Sequence, residues 1–290
     1  MITQEKYRSK VKKLLADGSV KMVIGYGPGS TADRRRPVFV RSFEEADQLV
    51  LDSNCIGNLS GYLVTEGLLS DEKHVAIFLR PEGIRSLNIL AAESQLNVDQ
   101  IIIFGFDSVG REVSSLPGEH AEEFSELIGS IKENPPEKSS EPLLYQIEQM
   151  NPQERFAFWK EEFSRCIKCY ACRQSCPMCY CRRCVVDSNQ PQWVNTSSHT
   201  LGNFEWNIVR AFHLAGRCVG CGNCDRACPV NIPLRLINAR MAEEVLESFD
   251  HFAGMSNTQE PVLASFKKED SETFIPVSYT HLTLPTIYSV

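Results

Sequence analysis

Several things are scarce in this sequence, and each scarcity removes a class of protein. No apolar stretch approaches the roughly 20 residues that a membrane-spanning helix needs; the longest β-like run is IIIFGF at 101–106. The N-terminus, MITQEKYRSKVKKLLADGSV, has no apolar segment of the secretory kind. A disulfide framework is therefore set aside, and the thiols are expected to be reduced in a cytoplasmic protein. Basic residues are outnumbered, 30 against 37, for a net charge of -7, and without a cationic footprint nucleic acid is not an expected partner. The six histidines are scattered, and no Ser/His/Asp or paired-carboxylate arrangement emerges from their spacing. Cysteine itself is nearly missing from the first 165 residues, which hold only Cys55.

What is present points to two units. A chain of 290 residues, 42% apolar and 23% charged, has an ordinary globular composition, and domains of about 100 to 200 residues make two the natural count. In the first half, strand-like and helix-like signals alternate. Lys21 to Tyr26, Pro37 to Arg41, His74 to Arg80 and Gln100 to Gly105 read as strands. A helix is expected from Phe43 to Leu51, capped by Ser42 with Glu45 reaching back, and another from Ile84 to Leu96. Continuous β-branched runs suit a sheet covered on both faces, so residues 1–131 are expected to form an α/β domain with a small, mostly parallel sheet. The segment Gly25-Tyr26-Gly27-Pro28-Gly29-Ser30-Thr31, followed by Arg34, Arg35 and Arg36, is either a phosphate or FAD cradle or a plain glycine-rich turn. Its spacing is not G-x-G-x-x-G.

The stretch KENPPEKSSEP from Lys132 marks a linker over 132–150, because adjacent prolines, serines and charges continue neither regular structure. A helical unit over 151–250 opens at Asn151-Pro152-Gln153-Glu154, which has the residues of an N-cap, a proline first turn and a capping box. Its first helix carries Phe156, Trp159 and Phe163. A second helix is expected with Asn203 as cap, Phe204, Ile208, Ala211, Phe212 and Ala215 as apolar face, and Gly216 as stop; a third runs from about Pro233 to Phe249. Residues 251–290 form a C-terminal tail. Its last 14 residues, from Val277, carry no Asp, Glu, Lys or Arg and read as a terminal strand or a non-native scar.

The remaining eleven cysteines fall between Cys166 and Cys228. Cys166, Cys169, Cys172 and Cys176 with Pro177 spell C-x2-C-x2-C-x3-C-P, and Cys218, Cys221, Cys224 and Cys228 with Pro229 spell it again. In two-cluster proteins of this pattern the fourth cysteine of each run ligates the other 4Fe-4S cluster. The pattern predicts one cluster on Cys166, Cys169, Cys172 and Cys228, and a second on Cys218, Cys221, Cys224 and Cys176. Structural zinc, the alternative reading, uses two cysteine pairs per site and leaves the third and fourth members of each run unexplained. Arg165, Lys168, Arg173, Arg182 and Arg183 surround the first run, where they either offset the charge of thiolate-bound clusters or form a solvated basic loop. Three further cysteines, Cys179, Cys181 and Cys184, are either free thiols or a third metal site, for which Cys55 is the one unused cysteine.

CIKCYACRQSCP, an insert of about 40 residues and AGRCVGCGNCDRACPVNIPLRL together resemble the α-helical ferredoxin fold, found also in heterodisulfide reductase small subunits and succinate dehydrogenase iron-sulfur subunits. In the first half, VIGYGPGS, PVFVRSFEEADQLV, NCIGNLSGYL and VAIFLRPEGIRSLNILAAESQLNVDQIIIFG resemble the β-subunit family of formate dehydrogenases and deazaflavin-reducing hydrogenases. The family implies cysteines near Pro81-Glu82-Gly83 and after Gly105-Phe106-Asp107; none stands at either place. The resemblance implies electron transfer through two 4Fe-4S clusters to redox partner subunits: a flavoprotein, or part of a formate dehydrogenase, hydrogenase or heterodisulfide-reductase-like complex. Two rival readings are a flavin-containing subunit that itself reduces a soluble carrier and a zinc-stabilised interaction module.

Overall fold

The computed structural model describes residues 4–65, 68–69, 73–106, 112–114 and 141–262. Helix α1 (Gln4–Ala16) leads into β1 (Val20–Pro28) and β2 (Arg35–Val40), and β3 (His74–Leu79), α2 (Pro81–Ala92), β4 (Ile101–Phe106) and β5 (Glu112–Ser114) follow. The five strands form one sheet in the order β2-β1-β3-β4-β5. Its central strands β1, β3 and β4 are parallel, and each edge strand pairs antiparallel. Phe78 and Phe104 stack on one face, where Tyr7 of α1 meets both rings edge on. Leu79 is one residue further along β3 and so points to the other face. There it packs so closely on α2 that a Cβ at Gly83 would lie 2.8 Å from its side chain.

Two elements of this half differ from expectation. The helix expected from Phe43 shrinks to a 3-10 turn at Glu44–Gln48. The Val50 amide instead donates to the Tyr26 carbonyl beside β1, and the Arg8 guanidinium takes the Leu49 carbonyl, so tertiary hydrogen bonds pull the chain straight. Ser42 Oγ does accept from the Glu45 amide, but the Glu45 carboxylate accepts from the Arg41 amide rather than from that of Ser42. Helix α2 begins three residues earlier than expected because Pro81 occupies its first turn.

The second half is helical: α3 (Pro142–Gln149), α4 (Pro152–Ser164), α5 (Ala171–Gln174), α6 (Thr200–His213), α7 (Asn223–Ala227) and α8 (Leu234–Phe249). The expected capping box closes at α4, with Asn151 Oδ1 accepting from the Glu154 amide and Glu154 Oε2 from the Asn151 amide. Residues 132–140 of the expected linker, Asp107 and the tail from Val277 lie outside the described residues. From Pro142 the expected linker is instead helix α3, whose Leu144 and Ile147 are buried with Trp159 and Phe163. Helix α6 starts at Thr200, where His199 Nδ1 accepts from the Gly202 amide. Asn203 is therefore not its cap; it is buried in the second turn, its amide donating to the carbonyls of Ser164 and Cys166.

The halves pack directly on one another. Ile89 and Leu90 of α2 share an apolar cluster with Met178, Leu214, Val219 and Ala253. The Asn58 amide donates to Asn223 Oδ1, and Asn223 Nδ2 donates back to the Asn58 carbonyl, both at 3.0 Å. After α8 the chain returns to α2, where Gly254 (φ +80°) presses on Arg85 so closely that a Cβ would lie 2.4 Å from the Arg85 carbonyl oxygen. Gly254→Ala combines a strained backbone with this clash and is expected to destabilise the chain by more than about 1 kcal/mol. A urea titration would show the midpoint falling; an unchanged midpoint would remove Gly254 from the interface.

Candidate metal centre

The two cysteine runs share a backbone. Lys168 (φ 55°) and Tyr170 (φ 57°) stand two and four positions after Cys166, and Gly220 (φ 73°) and Gly222 (φ 70°) stand two and four after Cys218. Alternation of right- and left-handed residues turns successive amides inward and forms a concavity for anions, a geometry common at iron-sulfur sites. The second run achieves this with glycine. The first does so with side chains that carry a cost of about 1 kcal/mol each; Lys168 Nζ holds the Asn195 carbonyl, and the Tyr170 ring meets Trp206 edge on. In each run the third cysteine then sits on a short helix, Cys172 on α5 and Cys224 on α7. Asn223 Nδ2 donates to the Ser175 carbonyl at 2.9 Å and ties the two helices together.

Electrostatic neighbourhoods sort the eight thiols into two groups. Burial pushes the Cys172 thiol up, Arg210 draws it down, and Cys166, Cys228 and Cys169 push it up again. Burial drives Cys218 up to about 12, with Cys221 and Cys176 adding to the rise. Cys224 is likewise raised by burial, and Cys218 and Cys176 are among the groups that raise it further. Cys176 thus acts on the first three cysteines of the second run, and Cys228 acts on Cys172 of the first. Cys176, Cys218, Cys221 and Cys224 also line one internal cavity.

The donors around these thiols suit an anionic occupant. The Lys168 amide reaches Cys166 Sγ and the Ile232 amide reaches Cys228 Sγ, both at 3.4 Å. Backbone amides of Met178, Gly220 and Asn223 serve Cys176, Cys218 and Cys221. Arg210 on α6 is 4% exposed, its Nη2 donating to the Cys172 carbonyl. Its Nε is buried and has no hydrogen-bond partner among the described residues. Cys176, Cys172, Cys179 and Cys224 hold its guanidinium in the charged form against burial, so a cation and an unused donor lie between the two thiol groups. Among the described residues no three His, Cys, Asp or Glu side chains converge closely enough to hold a single metal ion.

The other four cysteines separate. Cys179, Cys181 and Cys184 line a second cavity of about 390 Å³ together with Arg173, Arg217, His213 and Trp206. Cys179 stands beside Cys176, and their interaction lowers the Cys176 thiol and raises that of Cys179. Cys55 is not part of that group. It is fully buried in the core of the sheet domain, its thiol against the Val50 carbonyl and Asp52. The glycine-rich segment forms the β1–β2 hairpin, where a Cβ on Gly25, Gly27 or Gly29 would lie 2.5 Å from Leu49, Val38 or Arg34 respectively.

Of the basic residues around the first run, Arg165 pairs with Glu162 and Arg173 with Asp187. Arg210 and Arg217 were not anticipated. For Arg210 the signal was spacing: Trp206, Arg210 and Leu214 are four residues apart and all buried, which places that arginine on the inward stripe of α6 and its C-cap. Phe212, expected on that face, is 58% exposed.

Residues 162–232 match the 4Fe-4S dicluster domain family. Over 105 residues, 36% of this chain, the sequence is 32% identical to the F420-dependent formate dehydrogenase subunit beta of Methanocaldococcus jannaschii, covering 27% of that protein. Over an equal length it is 33% identical to the F420-dependent formate dehydrogenase 1 subunit beta of Methanococcus maripaludis, covering 26% of it. The match thus spans about a quarter of the length of these relatives. The resemblance to 4Fe-4S dicluster proteins and formate dehydrogenase beta subunits is borne out. No described helix is long and apolar enough to cross a membrane.

Thiolates rather than thiols react with alkylating agents, so exposure and proton affinity set the order of labelling. In the metal-free chain at about pH 8, iodoacetamide is expected to label exposed Cys169 and Cys181 first. Cys55, buried and pushed up to about 12 by burial, should label only after denaturant is added. Peptide mass mapping checks the order, and early labelling of Cys55 would contradict its placement.

Proposed function

We propose that this chain is an iron-sulfur electron-transfer subunit of a larger redox assembly, with two 4Fe-4S clusters. Cys166, Cys169, Cys172 and Cys228 would hold the first, and Cys218, Cys221, Cys224 and Cys176 the second. The observation that carries this reading is electrostatic: Cys176 acts on Cys218, Cys221 and Cys224, while Cys228 acts on Cys172.

The clusters would supply reversible one-electron chemistry without an open coordination position, since each iron takes a protein thiolate. The protein's own contribution is electrostatic. Arg210 places a fixed positive charge beside thiols of both groups, inward-turned amides meet the sulfurs, and the packed helices bury Cys172 and Cys224. Loading requires the raised thiols of Cys172, Cys218 and Cys224 to give up their protons, so assembly is favoured as pH rises.

The partners in this reading are redox subunits in the cytoplasm: a flavoprotein, a formate dehydrogenase, a hydrogenase or a heterodisulfide-reductase-like complex. The two relatives are beta subunits of F420-dependent formate dehydrogenases, which favours the second of these. The packing of the glycine-rich segment within the β1–β2 hairpin supports a relay over a flavin cradle there.

Anaerobic purification with quantification of iron, acid-labile sulfide, zinc and flavin tests the proposal. Two four-iron clusters predict about eight irons and about eight sulfides per chain, with no zinc. Roughly four irons or fewer after reconstitution would overturn the two-cluster assignment, and about twelve would add Cys179, Cys181 and Cys184 as ligands. Cys55→Ser is expected to keep the full iron content, whereas Cys172→Ser should lose about four irons. Equal losses in both variants would overturn the ligand sets.

A further inference from the structure

Helix α2 of the sheet domain sends Arg85 into the helical half, where it is 7% exposed. Its Nε donates to the Ala253 carbonyl at 2.8 Å and its Nη1 to the Val219 carbonyl at 3.3 Å, and the guanidinium lies 4.0 Å over the Phe252 ring. Among the described residues no carboxylate lies within ion-pair distance of it. A guanidinium buried without a carboxylate is costly unless another negative group answers it. The groups that favour its charged form are Cys218, Glu82 and Cys221, against burial that lowers its proton affinity. Val219, whose carbonyl it holds, stands between those two cysteines.

Asn58 approaches the same run from the same domain. Its side chain lies close enough to Cys221 to lower the proton affinity of that thiol. Its orientation is locked by donors from the Ser60 amide and hydroxyl to Oδ1 and by its own donation to Ser86 Oγ at 2.8 Å. Within the helical half, Asn238 Nδ2 points at Cys224 Sγ at 4.0 Å, and Arg226 and Arg217 act on Cys221 and Cys176. Among the described residues the buried cations around the first thiol group are Lys168, committed to the Asn195 carbonyl, and Arg210, which both groups share. Cations and hydrogen-bond donors at cluster sulfurs favour the more negative, reduced state and raise the potential.

We propose that Arg85 and Asn58, both supplied by the α/β domain, hold the potential of the second cluster above that of the first, making the second the end at which electrons collect. The inference rests on the two-cluster reading. One electron leaves the first cluster and one arrives at the second, so the transfer balances with no further reactant. The α/β domain would then poise a cluster that it does not ligate, and the two residues are positioning groups.

EPR-monitored redox titration of the full, anaerobically reconstituted chain tests this, with Cys169→Ser used to mark the signal of the first cluster. Wild type is expected to show two separate midpoints, the higher belonging to the unmarked cluster. Arg85→Met should lower that midpoint alone, Arg85→Lys should restore most of it, and Asn58→Ala should lower the same midpoint by less. Arg85→Met moving both midpoints, neither, or only the marked one would overturn the proposal. If Arg85→Met does not retain its clusters, Asn58→Ala decides, and an unmoved upper midpoint overturns it. A wild-type chain that never holds two clusters would fail the earlier reading; a wild-type chain with two clusters indifferent to these changes would fail this inference alone.

Discussion

Thiols brought together in a water-poor interior repel one another once they lose their protons, and the helical half of this molecule is organised around making that density tolerable. Burial raises Cys172, Cys218 and Cys224, and the guanidinium of Arg210 works against that rise at all three. Arg210 can stand there because α6 and its C-cap bury the stripe of Trp206, Arg210 and Leu214. In turn the thiols keep the buried guanidinium charged. Each side makes the burial of the other affordable, so the cysteine runs and α6 form one electrostatic unit.

The same logic reaches across the domain boundary. The parallel centre of the sheet fixes β3 and β4, and α2 leaves β3 through Pro81 to lie against the helical half. Gly83 lets α2 approach Leu79 closely, and Gly254 lets the segment after α8 close over Arg85. Neither contact tolerates a Cβ without displacement. The sheet domain therefore acts as a platform that aims Arg85 and Asn58 at the second cysteine run, and the Asn58–Asn223 pair registers the two halves.

Much of this was legible in sequence where the signal is local. The capping box at Asn151, the strands at β1, β3 and β4, and the doubled cysteine run each depend on residues within a few positions of one another. Misreadings arose where a distant group outbid a local preference. The helix expected after Ser42 yields to hydrogen bonds from Val50 to Tyr26 and from Arg8 to Leu49. Asn203, a good cap by type, is instead drawn inward to the carbonyls of Ser164 and Cys166, and His199 takes the cap. Proline-rich composition suggested a linker as far as residue 150, yet Leu144 and Ile147 find a core to enter.

By itself the sequence determined the iron-sulfur character of the centre, because the two C-x2-C-x2-C-x3-C-P runs are short-range patterns legible from spacing alone. It also determined that the first domain is an α/β sheet, because strand burial on both faces writes itself into continuous apolar runs. Tertiary structure alone decided where the lone and the extra cysteines go, separating Cys55 from the cavity of Cys179, Cys181 and Cys184. It alone decided which cations meet the thiols, since Arg85 stands more than a hundred residues from Cys218 and electrostatics depends on distance in space, which spacing along the chain does not encode.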